Sequence, residues 1–337
     1  MSIRLGSSSG RTYLIYLAAL ALLAGTAVLS IVFGTKSLQL ADVLGALTER
    51  SQSHDSNVVW TVRVPRTLVG IAVGMALGLA GSLMQSVTRN PLADPGLLGI
   101  NAGAAAGVVI AIQLDLGGSS AYVWAALIGA ALTTVAVYGI GSTGRPSVRT
   151  IRMTLAGVAV NAVMISVVSG VLLMHQPTME SYRFWAVGAI AGRSLEVLSQ
   201  TGPFILTGVV IALMLGSSLN VTTLGEDLGA SLGTNVEGVR ASAILATVLL
   251  AGAATATAGP IGFVGLVVPH MIRMLGATDQ RKLLACSMLI APVVLLWADI
   301  IGRLIARPGE VEVGIVIAFV GAPFFVYLVR RRKVIEL

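Results

Sequence analysis

Residues 259–270 read Gly-Pro-Ile-Gly-Phe-Val-Gly-Leu-Val-Val-Pro-His, with three glycines and two prolines inside an otherwise apolar run. A plain membrane helix should run unbroken there. Proline removes a backbone donor and clashes with the preceding turn. In lipid, a broken backbone persists only where protein buries it or where it lines a cavity. Lipid is the right solvent to consider, because the chain is 55% hydrophobic and 11% charged, with mean hydropathy +0.90. Soluble domains are nearer a quarter charged. The break therefore points to a transport pathway, and it decides how often the chain crosses the membrane.

Stretches free of Asp, Glu, Lys and Arg cover 12–35, 67–88, 95–114, 116–144, 153–179, 197–225, 241–272, 283–298 and 313–329. The first follows Arg4 and Arg11 but is too long for a signal-peptide core, so it reads as a retained helix. The stretch 241–272 is either one long tilted helix or two helices joined at 259–262. With one helix and an inside N-terminus, 9 Lys/Arg fall inside and 13 outside; with two helices the split is 14 and 8. The positive-inside rule favours two. The expectation is an all-α polytopic membrane protein of ten transmembrane helices with both termini cytoplasmic. The spans run approximately over 12–33, 65–87, 96–112, 120–140, 151–174, 203–219, 238–258, 262–274, 282–304 and 311–329, in a single permease domain over 1–337. Gly 39 and abundant Ala suit close helix packing in lipid.

The basic balance, net +7, is explained by loop cations that orient the chain, so no nucleic-acid role is expected. The lone Cys286 excludes an intrachain disulfide. His54, His175 and His270 show no metal-binding spacing with nearby acids, and no nucleophile–base pair suggests an enzyme. No P-loop pattern occurs, so the chain carries no ATPase site of that kind. The spans also lack central acids, which argues against an ion-driven secondary transporter.

Four local patterns remain. Arg63-Val-Pro-Arg66 leads into the second span on the outer side, against the orientation rule. It reads either as headgroup snorkelling or as docking for an acidic partner. Asn90-Pro91-Leu-Ala-Asp94-Pro95-Gly96 carries turn signals, and Asp94 is placed to cap the following helix. In 220–240, Leu224, Leu228 and Leu232 recur at spacing four with Glu226 and Asp227 between them, which predicts a short amphipathic helix. Its acidity favours a protein partner over anionic lipid. Asp299 and Arg303 are four apart and can pair on one helical face. His270 reads as a structural side chain rather than a proton relay.

Taken together these patterns resemble the FecCD-type permease subunits of ABC importers for iron–siderophores, haem and cobalamin. The resemblance spans nearly the whole chain. It rests on Arg-Val-Pro-Arg at 63–66, Gly-x-x-Met-Gln at 81–85, Asn-Pro-Leu-Ala-Asp-Pro-Gly-Leu-Leu-Gly at 90–99 and Leu-Ala-Gly-Val-Ala at 155–159. Trp-x-x-Gly at 185–188, Leu-Gly-Glu at 224–226, the 259–270 stretch, Asp-x-x-x-Arg at 299–303 and Gly-Ala-Pro-x-Phe at 321–325 complete it. The resemblance implies the type II ABC importer permease fold and a place in the cell (inner, cytoplasmic) membrane. It implies a homo- or heterodimer of permeases, two cytoplasmic ATPase subunits that carry ATP and Mg, and an extracytoplasmic binding protein. It implies that Arg63, Arg66 and Arg303 meet acidic residues of that binding protein. It also implies that Leu224, Glu226, Leu228, Gly229, Ala230, Leu232 and Gly233 form the ATPase coupling segment within 220–237. Asn90, Pro91, Asp94, Pro95, Gly96, Gly259, Pro260, Gly262, Gly265, Pro269 and His270 would then be interruptions near the pathway. No cofactor is expected on the chain itself. Ferric siderophore is the favoured cargo, with haem and cobalamin as the other members of the class.

Overall fold

The structure is a computed structural model and describes residues 8–35, 40–48, 53–142, 149–223 and 225–330. Among the described residues it is all-helical, with no strand. The α-helices are α1 (Ser8–Val32), α2 (Leu40–Thr48), α3 (His54–Val58), α4 (Val64–Thr88), α5 (Ile100–Gln113), α6 (Ser119–Gly141), α7 (Arg149–Met174), α8 (Gln176–Ala186), α9 (Leu195–Thr223), α10 (Glu226–Ser231), α11 (Val236–Ala258), α12 (Val264–Met274), α13 (Gln280–Ile305) and α14 (Val313–Arg330). A π-helical turn, Val59–Arg63, joins α3 to α4, and a 3-10 turn, Pro95–Leu98, precedes α5.

Seven of these helices are long and apolar enough to cross a membrane: α1, α4 (running on from α3), α6, α7, α9, α11 and α13. Three shorter apolar helices accompany them, Ile100–Gln113, Val264–Met274 and Val313–Tyr327. At 1.5 Å per residue, the 11 residues of α12 span only about 16 Å, half of a hydrocarbon core. Its missing length is the irregular backbone at 259–263.

Helix α4 is the axis of the bundle. It packs against α9, α11, α12 and α13, and its apolar window is the most buried of the seven. Small residues on α4 make that possible. A Cβ on Gly81 would stand 1.9 Å from the Gly265 carbonyl oxygen of α12. Without glycine at this crossing the two backbones must part, which is the use of small residues in lipid, where no hydrophobic force pulls helices together. In contrast, α7 and α1 are buried over only 11% and 17% of their apolar windows. Large side chains such as Leu155, Val163 and Leu173 on α7 face outward, as residues meeting lipid or another subunit do.

The segment between the first two expected spans, 12–33 and 65–87, is partly helical. In it α2 and the π turn enclose a small satellite core of Val43, Ala46 and Val59, pinned where Trp60 Nε1 donates to the Ala46 carbonyl at 2.8 Å.

Candidate functional site

The break falls where the sequence places it. Helix α11 ends at Ala258, Gly259 has φ 76°, Phe263 has φ 64°, and α12 begins at Val264. Its freed carbonyls are met by protein, as lipid requires. The Ala189 N–H donates to the Ala258 carbonyl at 2.7 Å. Gly188, with φ 76°, lies so near that a Cβ there would be 2.4 Å from the Pro260 carbonyl oxygen. The Gly188 carbonyl in turn accepts from the Gly314 N–H at 3.0 Å. The Trp-x-x-Gly pattern at 185–188 is thus the seam that joins the break to the start of α14. Gly259, Gly265, Pro269 and His270 are buried, Pro260 is half-buried and Gly262 is exposed.

The turn at 90–96 lies at the opposite end of the bundle, after the last turn of α4. The Leu92 N–H donates to Asn90 Oδ1 at 2.9 Å and the Gly96 N–H to Asp94 Oδ1 at 2.7 Å. Asp94 caps the 3-10 turn that begins at Pro95, and α5 follows only after Gly99. Asn161 of α7 donates to the Gly96 carbonyl at 3.1 Å, so the turn is tied to the least buried long helix.

Arg63, Arg66 and Arg303 come together at the α8 end of the bundle, and all three are buried, with 3%, 7% and 2% of their surface exposed. For Arg66 and Arg303 the reason is Asp299, which is fully buried. Arg66 donates to it through Nε and Nη2, the latter at 2.6 Å, and Arg303 Nη2 stands 2.7 Å from its other oxygen. The pairing of Asp299 with Arg303 on one face of α13 is therefore present. The remaining donors close the end of α1. Arg63 Nη1 donates to the Ile31 and Val32 carbonyls, Arg303 Nη1 to those of Ser30 and Phe33, and Arg307 Nη2 to that of Gly34. A helix leaves its last carbonyls unpaired and negative, so cations are favoured there. Arg66 Nη1 reaches outward, to Glu310 at 2.7 Å. Glu310 is the partly exposed member of the group.

Glu312 sits beside this cluster in the loop before α14, and its Oε2 is buried with no hydrogen-bond partner among the described residues. Burial pushes its carboxyl up, reinforced by Glu310 and Asp299 and opposed by Arg66 and Arg193. A carboxyl raised in the fold contributes stability below its unfolded value, and that contribution is lost as pH rises through the folded value. Glu312→Gln should therefore raise the unfolding midpoint by about 2 °C at pH 8 and leave it unchanged at pH 4. A thermal-shift series across pH in detergent checks both halves; a gain that persists at pH 4 would refute the ionisation account.

At the α10 end, the predicted short helix is present as Glu226–Ser231. Leu228 and Leu232 are 57% and 63% exposed, and Gly229 is buried. Ala230 is exposed, and Gly233 ends the segment at φ 81°. Leu224 and the side chain of Glu226 lie outside the described residues.

One arrangement has no counterpart in the sequence reading. Gln85 of α4 is fully buried, and its Nε2 donates to the Gly265 and Leu266 carbonyls of α12 at 3.3 and 3.2 Å. Its Oε1 accepts from Arg273 Nη1. The sequence offers two signals: Gln85 closes the Gly-x-x-Met-Gln pattern at 81–85, and Pro269 lies four residues after Gly265, which strips that carbonyl of its helical donor.

The sequence of residues 20–331 matches the FecCD transport family. The chain belongs to this family. It is 44% identical over 306 residues to the ferric enterobactin transport system permease protein FepD of Escherichia coli K12, covering 90% of this chain and 91% of that protein. It is 38% identical to the probable siderophore transport system permease protein YfiZ of Bacillus subtilis 168, with the same coverages. A solved structure described as an inward-facing conformation of a metal-chelate type ABC transporter superposes with a TM-score of 0.82 at 27% identity, covering 95% of this chain and 99% of that one. This FecCD-family chain is a multi-pass membrane permease with the ABC importer permease fold.

Proposed function

We propose that the chain is the permease subunit of an ATP-driven importer of ferric siderophores. The observation that carries this is near-full-length similarity to FepD, whose cargo is ferric enterobactin, together with two exposed leucines, Leu228 on a six-residue helix and Leu232 just past its end, at one end of the bundle. In this reading all ten apolar helices cross the cell (cytoplasmic) membrane. The three short ones are completed by irregular backbone, and both termini are cytoplasmic, as the Lys/Arg distribution favours. The permease pairs with a second permease subunit, and the pathway runs near the interruptions at 90–96 and 259–270.

Helix α10 docks on a cytoplasmic ATPase subunit, one per permease, each holding ATP and Mg. Exposed leucines on a short helix suit insertion into an apolar groove of a partner. Leu228→Asp would place a charge in that groove. It should weaken ATPase association by about thirtyfold, measured by co-purification and titration in detergent. Undiminished association would remove α10 from the interface.

An extracytoplasmic binding protein docks at the α8 end. Arg63 and Arg303 act there by holding the end of α1, and Arg66 is the arginine within reach. An acidic residue of the partner exchanging with Glu310 at Arg66 Nη1 keeps that guanidinium paired throughout. The test of the whole reading is uptake into proteoliposomes carrying permease, ATPase and binding protein. Ferric enterobactin, as the ferric-siderophore probe, should accumulate only with internal ATP and regardless of the proton gradient. Uptake driven by the gradient alone would establish a secondary transporter. ATP-driven uptake of haemin or cobalamin but not of ferric chelates would replace the cargo.

A further inference from the structure

The last turn of α4 joins three helices through side chains the proposed function has not used. Gln85 reaches α12, as described. Ser86 Oγ donates to Gln280 Oε1 of α13 at 2.7 Å. Arg89 Nη2 donates to the Thr222 carbonyl at the end of α9 at 2.7 Å, four residues before α10 begins. The α13 side is closed by Asn220 of α9, which accepts from the Gln280 N–H and donates to Asp279 Oδ1, at 2.8 and 2.9 Å. Within one helical turn, α4 therefore grips the helix that leads into α10, the first turn of α13, and the short helix α12.

The chemistry at α12 shows why Gln85 is an amide. Pro269 has no N–H, so the Gly265 carbonyl four residues earlier has no donor in its own helix. Left unmet in a buried site, such a carbonyl destabilises the fold. Gln85 supplies the donor from a neighbouring helix. It can do so only with Nε2 turned toward α12, and Arg273 enforces that orientation, because a guanidinium only donates and must face Oε1. Arg273 is itself buried, and its Nη2 has no hydrogen-bond partner among the described residues. An apolar residue at 85 would fill the space, but it would leave the carbonyl and the guanidinium both unmet.

We propose that Gln85, oriented by Arg273, is the positioning residue that meets the carbonyl Pro269 leaves without a donor inside α12 and makes the placement of α12 follow the last turn of α4, and so the helix leading into α10. This deepens the reading of α10 as the ATPase contact and rests on it for the direction of the signal. The holding of α12 stands on the geometry alone.

The two parts separate experimentally. A double-mutant cycle tests the holding. Gln85→Leu should lower the unfolding midpoint of the purified chain by about 4 °C. Pro269→Ala restores a backbone N–H at position 269 that can meet the Gly265 carbonyl. In that background the same Gln85→Leu change should cost only about 2 °C, the part owed to the Arg273 guanidinium that still loses its acceptor. A merely space-filling role for Gln85 gives equal losses in both backgrounds and overturns the proposal, whatever transport shows. In the reconstituted importer, Gln85→Leu and Arg273→Met should each reduce cargo moved per ATP hydrolysed by about tenfold while ATP hydrolysis itself stays within about twofold. Arg273→Lys, which still donates to Oε1, should recover most of the loss. An unchanged ratio of cargo to ATP overturns the positioning role. Failure of the unaltered complex to couple ATP to uptake would instead strike the proposed function, and the double-mutant cycle would still decide what Gln85 does.

Discussion

Asp299→Ala should lower the unfolding midpoint by about 10 °C, or prevent accumulation of folded protein in the membrane. Asp299 is fully buried and is the shared partner of Arg66 and Arg303. Removing it leaves two buried guanidiniums facing each other, and breaking a buried pair in this way costs about 3–5 kcal/mol. Glu310 still meets Arg66 Nη1, so the loss concentrates on Arg303 and on the Arg66 fork that pointed inward. Arg303→Met should be milder. It leaves Asp299 paired with Arg66 and gives up mainly the bonds to Ser30 and Phe33 at the end of α1. Comparing the two midpoints by fluorescence-detected size exclusion after heating is the check. Equal losses would mean that the α1 closure, and not charge compensation, dominates the cluster.

Gly81→Ala should be nearly as damaging, although it adds one methyl group. The nearest atoms to the new Cβ would be the Gly265 carbonyl oxygen at 1.9 Å, its carbonyl carbon at 2.4 Å and its Cα at 2.5 Å. All three are backbone, so no side chain can turn aside, and α4 and α12 must separate. Overpacking typically costs about 1–3 kcal/mol, and a clash between two backbones belongs at or beyond the top of that range. The separation also pulls Gln85 from the Gly265 carbonyl it serves. Gly25→Ala in α1, where nothing lies within 4 Å, is the matched control. It should be neutral or slightly stabilising, because alanine favours helix over glycine by about 1 kcal/mol. Equal yields of the two variants would refute the close crossing of α4 and α12.

The features legible in the sequence are those encoded locally. Gly259 and Pro260 interrupt an apolar run, and the helix does end at Ala258. The leucine spacing at 228 and 232 marks a short helix with those side chains exposed. Asp299 and Arg303 pair because they are one turn apart. What the sequence withholds is the partner of a distant charge. Arg66 and Asp299 are separated by 233 positions, and nothing near Arg-Val-Pro-Arg says that its guanidiniums turn inward. A basic motif beside a membrane span looks the same whether it greets solvent or closes another helix. Gln85 was hidden for a related reason. A lone amide in an apolar helix has many uses, and only the approach of α12 reveals which carbonyl it serves. The helical pieces of 34–66 were unreadable because α2 and α3 are too short, at 9 and 5 residues, for periodicity to declare itself.

The closure of α1 bears on how the protein is made. Its end carbonyls depend on Arg303 and Arg307, and the contact from Arg303 to Ser30 spans 273 positions. The ribosome adds about 5–20 residues each second, so the first helix to enter the membrane waits on the order of tens of seconds for the donors that complete it. During that interval α1 has Arg63 at most, and its mostly outward-facing apolar surface lies against lipid or the insertion machinery. Truncations that end before α13 would therefore be expected to release α1 for degradation first, which makes the N-terminal helix a reporter of whether the segment from α13 onward has arrived.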